Sequence, residues 1–152
     1  MMFDHPENHP VLKLTEDQCW QLLEGTQHGR LVGVVGGRPD IFPINIATHE
    51  GSVFFRTAPG TKLAEIAVND QVLIEADGIL SDQGWSVVVR GSARMLERSQ
   101  EIAAAEELGL RPWVPGLKEH FVKVTPSEIS GRHFQFEAYR DRALGEGSEA
   151  GG

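Results

Sequence analysis

A group of cations and hydroxyls around a short glycine-containing loop is the part of this sequence best suited to chemistry. Arg56 and Thr57 precede the loop, and Gly60, Thr61 and Lys62 end it. Arg can grip a phosphate through two parallel N–H groups, and Lys adds a mobile point charge. These residue types at this spacing predict a phosphate site. The alternative interpretation is a surface turn that carries two solvated cations.

The residues around this loop predict the elements that position it. Val53–Phe55 is a β-favouring run, whereas apolar residues recur at helical spacing after Thr61, with a predicted helix end at Asn69-Asp70. A strand, a loop and a helix start present unpaired backbone N–H groups to an anion. Neither Arg56 nor Lys62 falls where the apolar pattern predicts the core. We therefore expect both cations to act on a ligand and not on the stability of the fold.

A second candidate lies upstream, in the strand predicted from Ile41 to Thr48. Pro43 removes a ladder donor, so it indicates a strand edge, a bulge or a ligand-facing position. Asn45 points to the same face as Pro43 because side chains alternate along a strand. Its amide offers both a donor and an acceptor to a ligand. The alternative interpretation is that Asn45 bonds to a neighbouring strand.

The other elements follow from turn residues and hydrophobic periodicity. Thr15 and Gln18 form a capping-box pattern at the start of a helix that ends at Gly25. Gly91 interrupts a long strand and predicts a bulge or a close backbone approach. Short strands joined by hairpin turns predict a mainly β protein with helices, in the form of an antiparallel barrel. The remaining predicted elements are strands at Gly29–Val35, Gln71–Ala76, Trp85–Leu96, His120–Val124 and Ile129–Phe136, and a helix from the N-cap Ser99 to Gly109.

Composition limits the classes of function. The 152 residues suit one domain, which we place at 11–140, with 1–10 and 141–152 as flexible tails. The net charge of −8 disfavours nucleic acid and membrane partners, which require a basic face. A single cysteine, Cys19, favours a reduced, cytoplasmic protein, and no metal site is predicted. The histidines at His5 and His9 fall in the predicted tail.

Several segments together resemble a known family. They are F-F-R-T-A-P-G-T-K-L, preceded by G-R-L-V-G-V-V and F-P-I-N-I, and followed by G-W-S-V-V-V-R-G-S-A and I-S-G-R-H-F. In order and spacing they resemble the pyridoxamine 5′-phosphate oxidase-like family, the FMN-binding split barrels. The resemblance extends from about residue 14 to residue 136. It implies a split β-barrel that forms a homodimer, with one flavin in each site at the subunit interface.

The resemblance also implies which residues contact the cofactor, whereas it identifies no catalytic acid or base. The implied phosphate-binding residues are Arg56, Thr57, Thr61 and Lys62. The implied ring contacts are Pro43, Ile44 and Asn45, with Ser86 nearby. Phe55 and Trp85 complete the candidate set. The alternative to a cofactor contact for Trp85 is a place in the core or at a dimer interface, which suits it equally well.

Two departures from the family pattern bear on the reaction. The chain has Thr61-Lys62 where pyridoxamine 5′-phosphate oxidases carry an Arg-Lys pair, and it lacks their Arg-containing substrate segment near the C-terminus. The expected function is therefore an FMN-dependent oxidoreductase acting on another small organic substrate. The alternatives are a reductase that uses the deazaflavin F420 and a non-catalytic flavin- or haem-binding module. FMN ranks first, because a chain with charge −8 offers no obvious basic track for the acidic tail of F420.

Overall fold

The computed structural model of the protein describes residues 3–111, 114 and 119–136. Within these residues the chain forms eight strands and three helices. None of the helices in the described part is both long and apolar enough to cross a membrane. The elements in chain order are β1 Val11–Lys13, α1 Glu16–Glu24, β2 His28–Val35, β3 Arg38–Asn45, β4 Ala47–His49, β5 Ser52–Thr57, α2 Thr61–Val68, β6 Gln71–Ile79, β7 Gln83–Met95, α3 Ser99–Glu106 and β8 His120–Gln135.

The strands form one antiparallel sheet that curls into a half-barrel. The strand order is β3-β2-β6-β7-β8-β5-β4, and β1 adds to β8 outside this path. Strands β3 and β4 lie at opposite ends of this order, yet Ile46 alone separates them in the chain. Adjacent strands are about 4.8 Å apart, so one residue cannot cross a flat sheet of this width. The sheet must therefore curl until its two edges approach each other.

The inner face of the curled sheet holds the main core. Its largest fully buried side chains include Phe55, Leu31 and Ile44. Helix α1 has the predicted capping box at Thr15 and Gln18, and it ends at Gly25 as predicted. Cys19 of α1 is fully buried. A Cβ on Gly131 of β8 would lie 2.8 Å from the Cys19 sulfur, so a glycine here lets α1 approach the sheet closely.

Strand β8 differs from the prediction. We expected two closing strands with Pro126 between them, but β8 runs unbroken from His120 to Gln135. The register between β7 and β8 shifts between Arg90 and Gly91, where Gly91 faces Pro126. A proline without a ladder donor is tolerated at such an irregularity. A Cβ on Gly91 would collide with the backbone of Thr125, which confirms the predicted bulge and close approach.

A second, smaller apolar cluster lies beneath α3, apart from the main core. It joins the outward-facing side of β5 to β8 and to the segment after α3. The buried members of this cluster are Phe54, Leu96, Ala105, Leu110 and Phe121.

The predicted N-cap of α3 was wrong, because Arg98 and not Ser99 holds that position.

Two residues near the start of the described chain, Phe3 and His5, contact the barrel. Phe3 is buried in the main core. The ring nitrogens Nε2 of His5 and Nδ1 of His133 lie 2.6 Å apart, and His133 Nε2 lies 2.8 Å from the Gln83 side-chain oxygen. Burial, followed by the nearby His5, lowers the pKa of His133. The predicted tail at 141–152 falls outside the described residues.

Candidate functional site

The loop between β5 and α2 borders a cavity of about 350 Å³, which we call the cradle. It brings together the four residues predicted to bind phosphate, Arg56, Thr57, Thr61 and Lys62. The sequence prediction placed all four around the loop, and the structure places all four on one cavity wall. The other lining residues are Phe42, Ala58, Pro59, Gly60, Val114 and Glu119.

The first turn of α2 points backbone donors at the cradle. Gly60 is the N-cap residue, with φ 158° and ψ −155°, a conformation open almost only to glycine. No side chain of the described structure caps this end of the helix. The first intrahelical bond runs from Ala64 N–H to the Gly60 carbonyl, so the preceding N–H groups have no partner within the helix. Such a helix start attracts anions through these donors and through the helix dipole.

Lys62 is the cation of the cradle that is available to a ligand. Its Nζ lies 5.6 Å from the centre of the Phe42 ring, and its side chain is half-buried. Among the described residues it has no hydrogen bond or ion pair in the structure. A lysine held over an aromatic ring beside free backbone donors suits a bound phosphate oxygen.

Arg56, by contrast, is bound into the fold. Its Nη1 donates to the Leu110 carbonyl at 3.2 Å, and its guanidinium lies 4.7 Å from the centre of the Phe121 ring. Its Nε lies 3.4 Å from Oε2 of Glu119, and its side chain is only 26% exposed. The apolar pattern did not predict this role, because the contacts come from residues distant in sequence. Arg56 therefore supports the second apolar cluster as well as lining the cradle.

Glu119 is the site residue that sequence reasoning missed. Its side chain is 7% exposed and lines the cradle beside Arg56. Neither Glu119 Oε2 nor Arg56 Nε has a hydrogen-bond partner within the described residues, although the two atoms are close. No local pattern marks this carboxylate, which directly precedes an ordinary strand. The described wall of the cradle therefore carries two cations and one carboxylate.

Two candidate residues, Phe55 and Ile44, turn their side chains inward, away from any ligand outside the barrel. Phe55 and Ile44 are at most 1% exposed and belong to the main core. Thr57 is also buried, and its hydroxyl donates to the neighbouring Ala58 carbonyl at 3.3 Å. Phe55 and Ile44 can therefore reach a ligand only through their backbone in this chain.

Asn45 lies on the outer face, in a second cavity of about 260 Å³ next to the cradle. Its Oδ1 is 2.9 Å from Nδ1 of His28, and its Nδ2 donates to the Arg111 carbonyl at 2.9 Å. Leu110 lines this cavity and also accepts the hydrogen bond from Arg56. The candidate ring contact and the candidate phosphate contacts are thus neighbours around Leu110.

Pro43 and Ser86 share the outer face of the sheet but lie far apart. Pro43 is on the edge strand β3, opposite Arg30 of β2, and Ser86 is on β7, opposite Asp77 of β6. Three strand spacings separate them, or about 14 Å. Arg30 donates to Asp77 at 2.9 Å between the two. Ser86 is therefore not assembled with the cradle within this one chain.

Trp85 packs inward from β7. It is partly buried against the main core, and a Cβ on Gly78 would collide with its indole ring. The glycine thus makes room for the tryptophan on the neighbouring strand. Of the two uses that the sequence left open for Trp85, the described contacts correspond to packing.

The residues of the cradle suit an anionic group. The backbone donors of α2 and the Lys62 ammonium supply charge and hydrogen bonds, and the cavity is large enough for a phosphate group. The Glu119 carboxylate offsets part of that charge. The cradle thus fits a phosphate ester of low charge at the start of α2.

Comparisons with known proteins agree with this fold. The model of the family described as pyridoxamine 5′-phosphate oxidase matches residues 15–133. A crystal structure from Corynebacterium glutamicum is 39% identical, with a TM-score of 0.80 over 86% of this chain and 98% of the other. The FAD binding protein from Mycobacterium smegmatis is 42% identical, with a TM-score of 0.71 over 82% and 98%. An uncharacterised Mycobacterium tuberculosis protein, Rv0080, is 32% identical over 80% of this chain and 84% of its own length. The predicted split-barrel fold is confirmed.

Proposed function

This chain belongs to the pyridoxamine 5′-phosphate oxidase family, and from that premise we propose that it is a flavin-dependent oxidoreductase. The observation that carries the proposal is the cradle, where Lys62 lies at the uncapped start of α2 and Arg56 bonds to Leu110 of the Asn45 cavity. A flavin nucleotide has the matching parts, an anionic phosphate joined by a flexible chain to a flat heterocycle. The 42%-identical relative from M. smegmatis, named as an FAD binding protein, supports the same ligand class.

Each part of the proposed ligand has its own contacts. Thr61, Lys62 and the first N–H groups of α2 hold the phosphate, with Arg56 at the rear of the cradle. The heterocycle lies on the outer face at Pro43 and Asn45, where the Asn45 amide meets its alternating donors and acceptors. When bound, the flavin supplies the transfer of hydride or electrons, whereas the protein supplies binding and orientation. The substrate is a small organic molecule that stacks on the exposed side of the ring.

Two flavin nucleotides are candidates for this site. The family resemblance favours FMN, and the M. smegmatis relative favours FAD. The deazaflavin F420 is the third candidate, with a phosphate and an acidic tail. A non-catalytic flavin- or haem-binding module is the alternative function. Turnover of a nicotinamide or F420 donor with an electron acceptor distinguishes an enzyme from such a module.

The proposed flavin binding is tested by titrating the apo-protein with FMN, FAD and riboflavin and following flavin fluorescence. We expect at least one of the two nucleotides to bind at least about tenfold more tightly than riboflavin, because only the nucleotides place a phosphate in the cradle. Equal affinity for all three ligands would mean that the phosphate is not held there. F420 in the same titration tests the deazaflavin alternative.

We also propose that the protein is a homodimer. The outer face of the half-barrel exposes Ile41 by 62% and Val34 by 40%, next to the partly buried Val32 and Leu73. A second subunit covering this face would bury these side chains and bring its own residues to the ring end of the site.

Light scattering on the purified protein at micromolar concentration tests the dimer. We expect a particle of twice the 16.7 kDa chain mass, and a shift toward monomer for Ile41→Glu, which places a charge in the covered face. Val68→Glu is the matched control, since Val68 is similarly exposed, at 72%, but lies on α2. A monomeric parent protein would contradict the proposal.

A further inference from the structure

We propose that Glu119 determines which flavin nucleotide the cradle accepts, and that it favours a phosphodiester over a phosphomonoester. FMN carries a phosphomonoester and FAD a bridged phosphate, so Glu119 favours FAD over FMN. The inference rests on the proposed flavin-binding function and names a specificity-determining residue of the same site. Glu119 places a carboxylate on the wall of a cavity that suits an anion.

The position of Glu119 reduces the charge of the cradle. Its side chain is 93% buried, and its Oε2 lies 3.4 Å from Arg56 Nε. The charged residues on the described cavity wall are Arg56, Lys62 and Glu119, which leaves one net positive charge. The partial positive charge of the α2 start adds to it. On the described wall, a phosphate group that enters this cavity therefore meets roughly one uncompensated cation, together with one carboxylate that repels it.

This charge suits one of the two phosphate types. A phosphomonoester such as that of FMN carries about −1.5 to −2 near neutral pH, because its second pKa is about 6. Each phosphate within a diester or a pyrophosphate bridge carries about one negative charge. A monoanion is balanced by the cradle, whereas a dianion keeps an uncompensated charge close to Glu119. Like charges brought together in a desolvated site reduce affinity strongly.

The shape of the cavity agrees with a bridged phosphate. Of its lining residues, Pro59, Gly60 and Thr61 are exposed, and Val114 is 55% exposed. The first phosphate of a pyrophosphate bridge can therefore lie at the α2 start while the second extends past the rim toward solvent. The adenosine half of FAD then needs no space inside the barrel.

The Arg56–Glu119 pair also differs from the purely structural pairs of this chain. Arg94 donates two hydrogen bonds to Glu101, at 3.0 and 3.3 Å. Arg30 likewise donates to Glu75 at 2.7 Å. Between Arg56 and Glu119, by contrast, Nε and Oε2 face each other with neither atom hydrogen-bonded. This leaves a buried donor on Arg56 for a phosphate oxygen and a buried acceptor on Glu119 for a ligand hydroxyl.

The test is the ratio of FMN to FAD affinity in the parent protein and in Glu119→Gln. The parent is expected to bind FAD more tightly than FMN. Glu119→Gln keeps the shape of the side chain and removes its charge, so FMN should gain about tenfold or more relative to FAD. Glu101→Gln is the matched control, because Glu101 also pairs with an arginine but lines a different cavity. The FMN-to-FAD affinity ratio of Glu101→Gln should equal that of the parent.

The pH dependence of the same ratio provides a second readout that a merely structural role would not move. Between pH 7.5 and pH 5.5 the FMN phosphate gains a proton and becomes a monoanion, while the FAD phosphates keep their charge. In the parent protein FMN should therefore gain on FAD as the pH falls. In Glu119→Gln the described wall carries two cations and no carboxylate. The FMN-to-FAD affinity ratio of this variant should therefore fall as the pH falls.

The outcomes separate this inference from the proposed function. If the parent binds FMN and FAD with a ratio that neither Glu119→Gln nor pH changes, flavin binding stands and the role of Glu119 is overturned. If neither nucleotide binds the parent more tightly than riboflavin, the proposed phosphate site itself fails. If Glu119→Gln does not fold, the pH dependence of the parent protein alone tests the inference. An FMN-to-FAD affinity ratio that stays constant or falls from pH 7.5 to 5.5 overturns it.

Discussion

Replacing Lys62 by alanine is expected to weaken the binding of FMN and FAD by about tenfold to a hundredfold. A charge-assisted hydrogen bond to a phosphate contributes about 1.5–3 kcal/mol, and 1.4 kcal/mol corresponds to a factor of ten in affinity. Lys62 has no ion pair among the described residues, so its charge is available to the ligand. Riboflavin, which has no phosphate, should bind the variant nearly as well as the parent.

The chain offers a closely matched control for this substitution. Lys123 also holds its Nζ over an aromatic ring, 6.0 Å from the centre of Phe54, and is half-buried like Lys62. It lines a different cavity, beside α3. Lys123→Ala should therefore leave the affinity for both nucleotides unchanged. Raised salt should weaken nucleotide binding more in the parent than in Lys62→Ala, because screening acts on the charge that the variant lacks.

Lys62→Ala should also leave the stability of the apo-protein almost unchanged, since surface substitutions away from special features usually stay within about 0.5 kcal/mol. Thermal unfolding of the apo-variant measures this. A lower melting temperature combined with unchanged nucleotide affinity would show that Lys62 is a structural residue. The anion site would then lie elsewhere on the molecule.

The predictions that held were those that depend on neighbours in sequence. The α1 capping box needs only Thr15 and Gln18, three residues apart. The loop between β5 and α2 needs only the order of strand, glycine and helix, so the start of α2 at Thr61 was also predictable. Gly91 marked the bulge because a glycine inside a long strand has few other uses.

Several differences between the structure and the sequence analysis come from residues distant in sequence. Antiparallel pairing of β5 with β8 places Arg56 opposite Phe121, and this brings Glu119 to the guanidinium. Hydropathy around either residue alone contains no sign of the other. The same pairing of distant strands turned a predicted break at Pro126 into a bulge within one strand. In the proposed dimer, the relation of Ser86 to the other candidates depends in turn on the second subunit.

Arg56→Ala is expected to destabilise the apo-protein by roughly 3 kcal/mol, toward the lower end of the range for broken buried pairs because Arg56 is 26% exposed. Three contacts are lost together: the ion pair with Glu119, the hydrogen bond to Leu110 and the packing on Phe121. The largest loss comes from Glu119, whose carboxylate stays buried without its cation. Chemical denaturation of the apo-protein, followed by circular dichroism, measures the change in the free energy of unfolding.

The double variant Arg56→Ala/Glu119→Gln separates the charge effect from the packing effect. If the unpaired carboxylate causes most of the loss, the double variant should be more stable than Arg56→Ala alone, because no buried charge remains. Arg94→Ala is the control, since the Arg94–Glu101 pair is more exposed and such pairs contribute about 0–1 kcal/mol. A double variant less stable than Arg56→Ala would show that Glu119 stabilises the fold independently of Arg56. An Arg56→Ala variant as stable as Arg94→Ala would mean that Arg56 is kept for its ligand and not for the fold.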